Sequence, residues 1–482
     1  MSGLRVFAAV PTQRAADATP PDRDRVVDAA RAVALVVVVA GHGVMAVVAW
    51  PGGVPQLGNL LAAFPWTQAL TWALQVMPLF FFAGGAASSL SWDKHVAQHG
   101  TYAEWLWSRA ARLLRPAWVY LAVMSALATL VTVFAPADIA APLMVLTTQL
   151  LWFLGAYLLV TALTPLFTPV SPARGLLVTV GLIAACGLVD AARFAWGWPE
   201  AVGLLNFVLV WTVPAYLGSL RAHGTLGRTR RPALLGAALT CLVVNALLIN
   251  RGPWPVSMVG MPGEPVSNMA PPSVVLAIHA AALVCLLTLA DAPLRRVLAI
   301  PAVWRPVTGI NLVAMTLYLW HLPVLIAVTT VAHALHLDRS VTLDAAGFPV
   351  PDGWSYASGS VLFWLAYGLG VWAVVRLLWP LEHARLPWWD SPVRVSAPRS
   401  RTTASVTAVL GTAGVGIASL MLSATGLAGF PTRVLVYAGI PLNAAASILL
   451  LAGSGAAIRW AGALRAVAMP HVPTQPVAAT ES

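Results

Sequence analysis

RVVDAARAVALVVVVAGHGVMAVVAW, residues 25–50, is apolar enough to cross a lipid bilayer, yet it carries Asp28 and Arg31 at its entrance and His42 well inside. Ionisable groups in hydrocarbon are costly and need a reason. Arg31 and His42 are eleven positions apart. At about 100° per residue they fall within about 20° of one helix face. At a rise of about 1.5 Å per residue they lie about 16 Å apart along the axis. Asp28, one turn before Arg31, is in reach of it as an ion pair. One stripe thus carries an ion pair near a membrane surface and an imidazole further in. Gly41 and Gly43 flank the imidazole and admit a second helix or a ligand. Two readings fit the stripe. Either it lines a functional cavity, or Arg31 snorkels to the headgroups and His42 makes one interhelical hydrogen bond.

The rest of the chain is of the same kind. Of its 482 residues 59% are hydrophobic and only 9% charged, against about 25% charged in a soluble domain. The expected fold is an all-α, polytopic transmembrane helix bundle. The formal charge of +11 is nearly all arginine, Lys94 being the only lysine. In such a chain basic residues mark cytoplasmic loops, not nucleic-acid contacts. Cys186, Cys241 and Cys285 each fall in an apolar run and form neither a metal spacing nor a disulfide framework. The chain has no Walker-type phosphate loop, no HExxH and no Cys/His cluster, so no metal is expected.

Runs of about 18 or more apolar residues read as spans. Twelve are found, at 27–50, 67–90, 116–135, 143–166, 175–192, 202–220, 233–250, 273–291, 309–333, 357–379, 404–428 and 434–457. The connecting segments alternate in charge. Loop 91–115 holds Lys94, Arg109, Arg112 and Arg115, and loops 221–232, 292–308 and 380–403 hold three or four arginines each. The segments between them hold none or one. That asymmetry predicts a plasma-membrane protein with both termini cytoplasmic. Residues 1–24 read as a disordered cytoplasmic tail, 25–380 as the main bundle, 381–403 as a basic linker, 404–457 as an added helix pair and 466–482 as a disordered tail.

Three further segments carry chemistry or shape. In WSRAARLLRP (107–116) Arg109, Arg112 and Arg115 would share one broad helix face. There they could grip phosphates bidentately or anchor the chain to anionic lipid. In TLYLWHLPVLI (316–326) His321 sits mid-span, two residues before Pro323, as a second acid/base group or a hydrogen-bonding strut, with Tyr318 one turn away. In MPLFFFAGGAASSL (77–90) Pro78 breaks the span, and Gly84 and Gly85 permit close packing. Asn206, Asn245 and Asn311 read as interhelical glue.

Taken in order, these segments resemble the membrane acyltransferase 3 family. Asp28, Arg31 and His42 resemble its "LDGLRGLA…H" opening, and PLFFFAGG its "FFxxSG" segment. RAARLLRP resembles its RxxR element, LLWFLGAYLL (150–159) its "WFL" span, and LYLWHLPVL its late "YLxHxP" span. The resemblance implies a ten-span core with the last two spans added. It implies an O-acyltransferase that moves an acyl group, often acetyl, from cytoplasmic acyl-CoA to a hydroxyl. Acceptors in the family are cell-envelope glycans, lipid-linked sugars and secondary metabolites. His42 would be the essential imidazole, with Arg31, Arg109 and Arg112 serving the donor. Gly84 stands where the family usually has Ser. Partners expected on this reading are membrane lipids, the acceptor and no nucleic acid. Twelve spans also suit a secondary transporter, although the loop between spans two and three lacks the charged Gly/Asp/Arg motif of the commonest such class.

Overall fold

The computed structural model describes residues 12–261, 264–383, 387–391, 400–437 and 440–463. Among them eleven helical segments are long and apolar enough to cross a membrane, and a bent helix pair makes a twelfth when its two arms are taken as one span. They are Arg25–Met45, Pro65–Ala97, Tyr102–Phe134, Asp138–Leu166, Pro172–Phe194, Glu200–Ala222, Arg231–Arg251, the pair Val274–Leu289 and Asp291–Leu298 bent by 62°, Ala314–Ala334, Gly353–His383, Arg401–Thr425 and Ala444–Gly462. The chain is an all-α, multi-pass membrane protein. Each of the twelve expected runs has its helix, because a backbone in hydrocarbon must satisfy its own hydrogen bonds.

The ends of several spans differ from the sequence reading. The first helix stops at Met45, and Ala46–Ala49 pairs antiparallel with Gln56–Asn59 around a turn at Pro51–Gly53. His42 therefore lies in the last turn of its helix. The third helix begins at Tyr102, not 116, because Thr101 and Glu104 close a capping box there. Its 33 residues reach about 50 Å, well beyond the roughly 30 Å of hydrocarbon, so the arginine cluster rides on the span itself. The last helix begins at Ala444, not 434. Val434–Tyr437 and Ile440–Asn443 form a hairpin instead, and Asn443 Oδ1 caps the helix by accepting from Ala446 N at 3.1 Å. Residues 12–24, expected as disordered tail, are folded. Thr12–Asp17 is helical, and Ala16 packs with Val26, Leu298 and Trp304. Residues 1–11 and the expected tail 466–482 lie outside the described residues, as do residues 384–386 and 392–399 of the linker 381–403.

Side-chain contacts sort the connections into two ends. At the basic end Arg221 bonds both Asp24 and Asp291, Arg295 bonds Asp291 at 2.8 Å, and Arg25 reaches Leu298 O at 2.9 Å. His223 meets Asp93 at 2.9 Å and Arg231 meets Leu289 O at 3.1 Å at the same end. At the far end Arg339 reaches Ala46 O at 2.7 Å, Gln56 reaches Gly347 O at 2.6 Å and Trp72 reaches Val256 O at 2.9 Å. The loops grouped by arginine content in the sequence are thus grouped by contact in the fold. Asp24 also caps the first helix, accepting from Val26 N at 3.1 Å and Val27 N at 3.3 Å.

The second and sixth spans touch backbone to backbone. A Cβ on Gly85 would lie 2.0 Å from Ala215 O, and one on Gly218 would lie 2.0 Å from Phe82 O. Neither oxygen can retreat without bending a helix. The second span is in short pieces from Pro65 to Leu74. Its continuous helix starts at Met77, with Pro78 in the first turn where a missing N–H does no harm. Gln75, at the break, donates to Met258 O at 2.6 Å. Gly85→Val or Gly218→Val should destabilise the bundle by at least about 1–3 kcal/mol through overpacking. Thermal unfolding in detergent measures this, and an unchanged midpoint would contradict the backbone contact.

Candidate active site

The first and ninth spans bring two imidazoles together. The ring centroids of His42 and His321 lie 5.1 Å apart with the planes tilted by 47°. His321 Nε2 is 3.3 Å from His42 Nδ1. The partners decide where the hydrogens are. A carbonyl oxygen only accepts, so His42 Nδ1, 2.8 Å from Val38 O, carries hydrogen. So does His321 Nδ1, 3.1 Å from Leu317 O. A neutral ring then keeps a lone pair on its other nitrogen. His321 Nε2 accepts a share of the His42 Nδ1–H, while His42 Nε2 has a lone pair and no hydrogen-bond partner among the described residues. His321 is 1% exposed, whereas His42 is only half-buried.

The two glycines beside His42 differ in what they admit. A Cβ on Gly43 would sit 2.7 Å from the Trp364 ring, so that glycine lets the tenth span close on the first. Tyr367 completes this contact by donating to Val39 O at 3.2 Å. Gly41 has nothing within 4 Å of its Cβ position and faces open space.

Toward the basic end, Arg31 is held by a partner that the sequence reading took for glue. Arg31 Nε donates to Asn311 Oδ1 at 2.7 Å, and Asn311 Nδ2 donates to Asp28 O at 2.9 Å. The expected Asp28–Arg31 pair is present at 3.7 Å, but Asp28 has a closer partner. Arg23 grips its carboxylate twice, Nε to Oδ2 at 2.6 Å and Nη2 to Oδ1 at 2.8 Å. That hydrogen-bonded carboxylate raises the Arg23 guanidinium above its ordinary value. Relieved of Asp28, Arg31 keeps most of its N–H donors for another anion.

The arginines of the third span part company. Arg109 turns inward and bonds Ser91 Oγ, leaving its Nε buried without a partner. Arg112 is exposed and has no hydrogen bond among the described residues. Arg115 bonds Asp390 at 3.1 Å, with Nε and Nη2 buried and unpartnered. Tyr157 has room because residue 84 is glycine. A Cβ there would lie 2.5 Å from the Tyr157 ring and 2.7 Å from its hydroxyl. Gly84 therefore serves Tyr157, and Gly85 serves the helix contact.

The Tyr318 hydroxyl does not bond His321. Its hydroxyl donates to Leu150 O at 2.9 Å and its ring centroid is 6.2 Å away from that of His321. A carboxylate missed in the sequence lies close by in the fold. Glu382, 4% exposed, accepts from Thr316 Oγ1 at 2.5 Å and Trp320 Nε1 at 3.3 Å, and Trp320 precedes His321 in the chain. Its only trace in the sequence is a lone acid at the end of an apolar run.

Residues 24–382 match the family model described as an acyltransferase domain, of the membrane acyltransferase 3 type. No curated protein and no solved structure gives a significant match.

The tautomer is directly observable. In histidine-labelled protein at neutral pH, nitrogen NMR should show His42 with Nδ1 protonated and Nε2 bare. A protonated Nε2 on a neutral ring would contradict the assignment.

Proposed function

The chain belongs to the membrane acyltransferase 3 family, and from that premise we propose that it transfers an acyl group, acetyl in the simplest case, from cytoplasmic acyl-CoA to a hydroxyl. The acceptor is a cell-envelope glycan, a lipid-linked sugar or a secondary metabolite. The observation that carries the reading is the free lone pair on His42 Nε2, set by a hydrogen on Nδ1 that is already committed to Val38 O and His321 Nε2.

A hydroxyl attacks a thioester only as its proton leaves, and imidazole is suited to taking it at neutral pH. His42 Nε2 removes the acceptor proton while the acceptor oxygen bonds the thioester carbonyl carbon. The C–S bond then breaks, and the departing thiolate takes the proton back from Nε2. The products are an ester and free CoA thiol, and His42 ends as it began. Between the steps His42 is an imidazolium. Its Nδ1–H remains bonded to Val38 O and to the His321 lone pair, which favours the charged form. Glu382 is hydrogen-bonded away from the pair and takes no proton in this scheme.

The donor fits the basic end. CoA is polyanionic, and guanidinium groups bind phosphates through paired, charge-assisted bonds. Arg31 keeps most of its N–H donors, Arg109 and Arg115 each bury N–H groups without a partner, and Arg112, between them in the chain, is exposed. From Arg31 to His42 is about 16 Å along the first helix, a distance suited to the extended pantetheine arm. With positive residues inside, this end is cytoplasmic and the membrane is the plasma membrane.

Reconstituted protein supplied with labelled acetyl-CoA tests the reading. His42→Ala should slow acyl transfer by about 10²–10⁴-fold with donor affinity unchanged. Arg31→Gln should do the reverse, raising the donor KM by about tenfold or more for the loss of a charge-assisted bond. Equal turnover of His42→Ala and wild type would overturn the proposed base. An unchanged KM would return Arg31 to a structural role.

A further inference from the structure

At the far end a groove of about 290 Å³ opens between the ninth and tenth spans. Val48, Val328, Ala332, Leu335, Leu362 and Phe363 give it an apolar lining, with Asp338 and Arg339 at its mouth. Leu335 and Leu362 are 61% and 49% exposed, so the groove opens sideways, toward where lipid surrounds a membrane bundle. The Arg339 guanidinium is fixed. It donates to Ala46 O and to the Tyr356 hydroxyl, both at 2.7 Å, and lies 3.9 Å from the Phe363 ring centroid. An arginine has five N–H donors, so two bonds leave most of them unspent. Among the described residues no carboxylate stands within salt-bridge distance of it. Asp338, at the same mouth, is taken by His333 Nδ1 at 2.8 Å, and His333 is stacked on Trp50. Burial pulls the Arg339 guanidinium below its ordinary value, the cost of holding a cation away from water without an anion.

The groove is near the chemistry. Ala46, whose carbonyl Arg339 holds, is four residues past His42 and bonds back to His42 O through its own N–H. Four residues of helix are about 6 Å. An anion on Arg339 therefore stands about one helical turn beyond the imidazole, on the side opposite Arg31. We propose that this groove binds a membrane lipid bearing a phosphate, with the apolar chain along Val328, Ala332 and Leu362 and the phosphate on Arg339. On the acyl-transfer reading, on which this part rests, that lipid is the carrier of the acceptor. Its hydroxyl-bearing group meets His42 from the far end while the thioester arrives from the basic end. An apolar cleft with a half-buried guanidinium at its mouth suits a lipid phosphate. A free soluble glycan would leave the apolar wall uncovered and the guanidinium unpaired.

The test uses full-length protein in phosphatidylcholine nanodiscs, with dodecyl phosphate as the probe and dodecanol as its uncharged control. Wild type should bind dodecyl phosphate at least tenfold more tightly than dodecanol. Arg339→Gln should abolish that preference while dodecanol still binds. Ala332→Trp, which fills the groove and leaves Arg339 in place, should weaken both probes at least tenfold. Its thermal midpoint should match that of wild type. Unchanged dodecyl phosphate binding in both variants would overturn the site. If wild type shows the Arg339-dependent preference but hydrolyses no acetyl-CoA, the acyl-transfer reading falls and the lipid site stands. Hydrolysis without any phosphate preference overturns the site alone.

Discussion

An imidazole N–H inside a membrane bundle costs free energy unless it finds an acceptor. His42 sends its Nδ1 hydrogen to the carbonyl one turn back, Val38 O, and shares it with His321. That single commitment decides much else. It fixes the tautomer, so the lone pair falls on Nε2. It fixes the ring, because a bond to its own helix and one to another helix leave little freedom. It also makes His321 a neutral acceptor, since the Nδ1 hydrogen of His321 is bound to Leu317 O. An unpaired imidazole N–H at the same place would cost more than one ordinary hydrogen bond contributes.

The helix that carries His42 is clamped at both ends. At its start Asp24 caps the first turn and is itself held by Arg221, while Arg23 neutralises Asp28. At its finish Arg339 bonds Ala46 O, and the chain turns into a strand. The imidazole pair between the clamps faces different chemistry on either side. Arginines with N–H donors to spare lie toward the basic end, and an apolar groove with Arg339 at its mouth lies toward the far end. A polyanionic thioester donor and a lipid-borne acceptor would meet such a site from opposite directions, and neither would need to turn around in it.

All twelve spans were legible because twenty apolar residues in a row have few alternatives in water or in lipid. The helix ends were not. AVVA at 46–49 and VLVY at 434–437 are as apolar as the helices beside them, and β-branched residues suit either state. Only tertiary pairing makes them strands. Arg31 and His42 were placed correctly on one helix because local periodicity reports what one helix presents. The approach of His321 is a contact across 279 residues that no periodicity contains. The same limit hid Arg23, which read as part of a disordered tail, and the hold of Asn311 on Arg31. The two glycines at 84 and 85 were read together as packing, and the fold divides them. One accommodates the Tyr157 ring and the other lets two backbones touch.

The claim that joins these observations is that His42 and His321 work as one unit, the second histidine acting through the first. A double-mutant cycle on the acyl-transfer rate measures this most directly. Residues that act as a unit lose activity non-additively. His321→Ala should slow transfer in the wild-type background and have almost no further effect once His42 is alanine. Losses that simply multiply would mean that the two rings act independently, and would contradict the coupling.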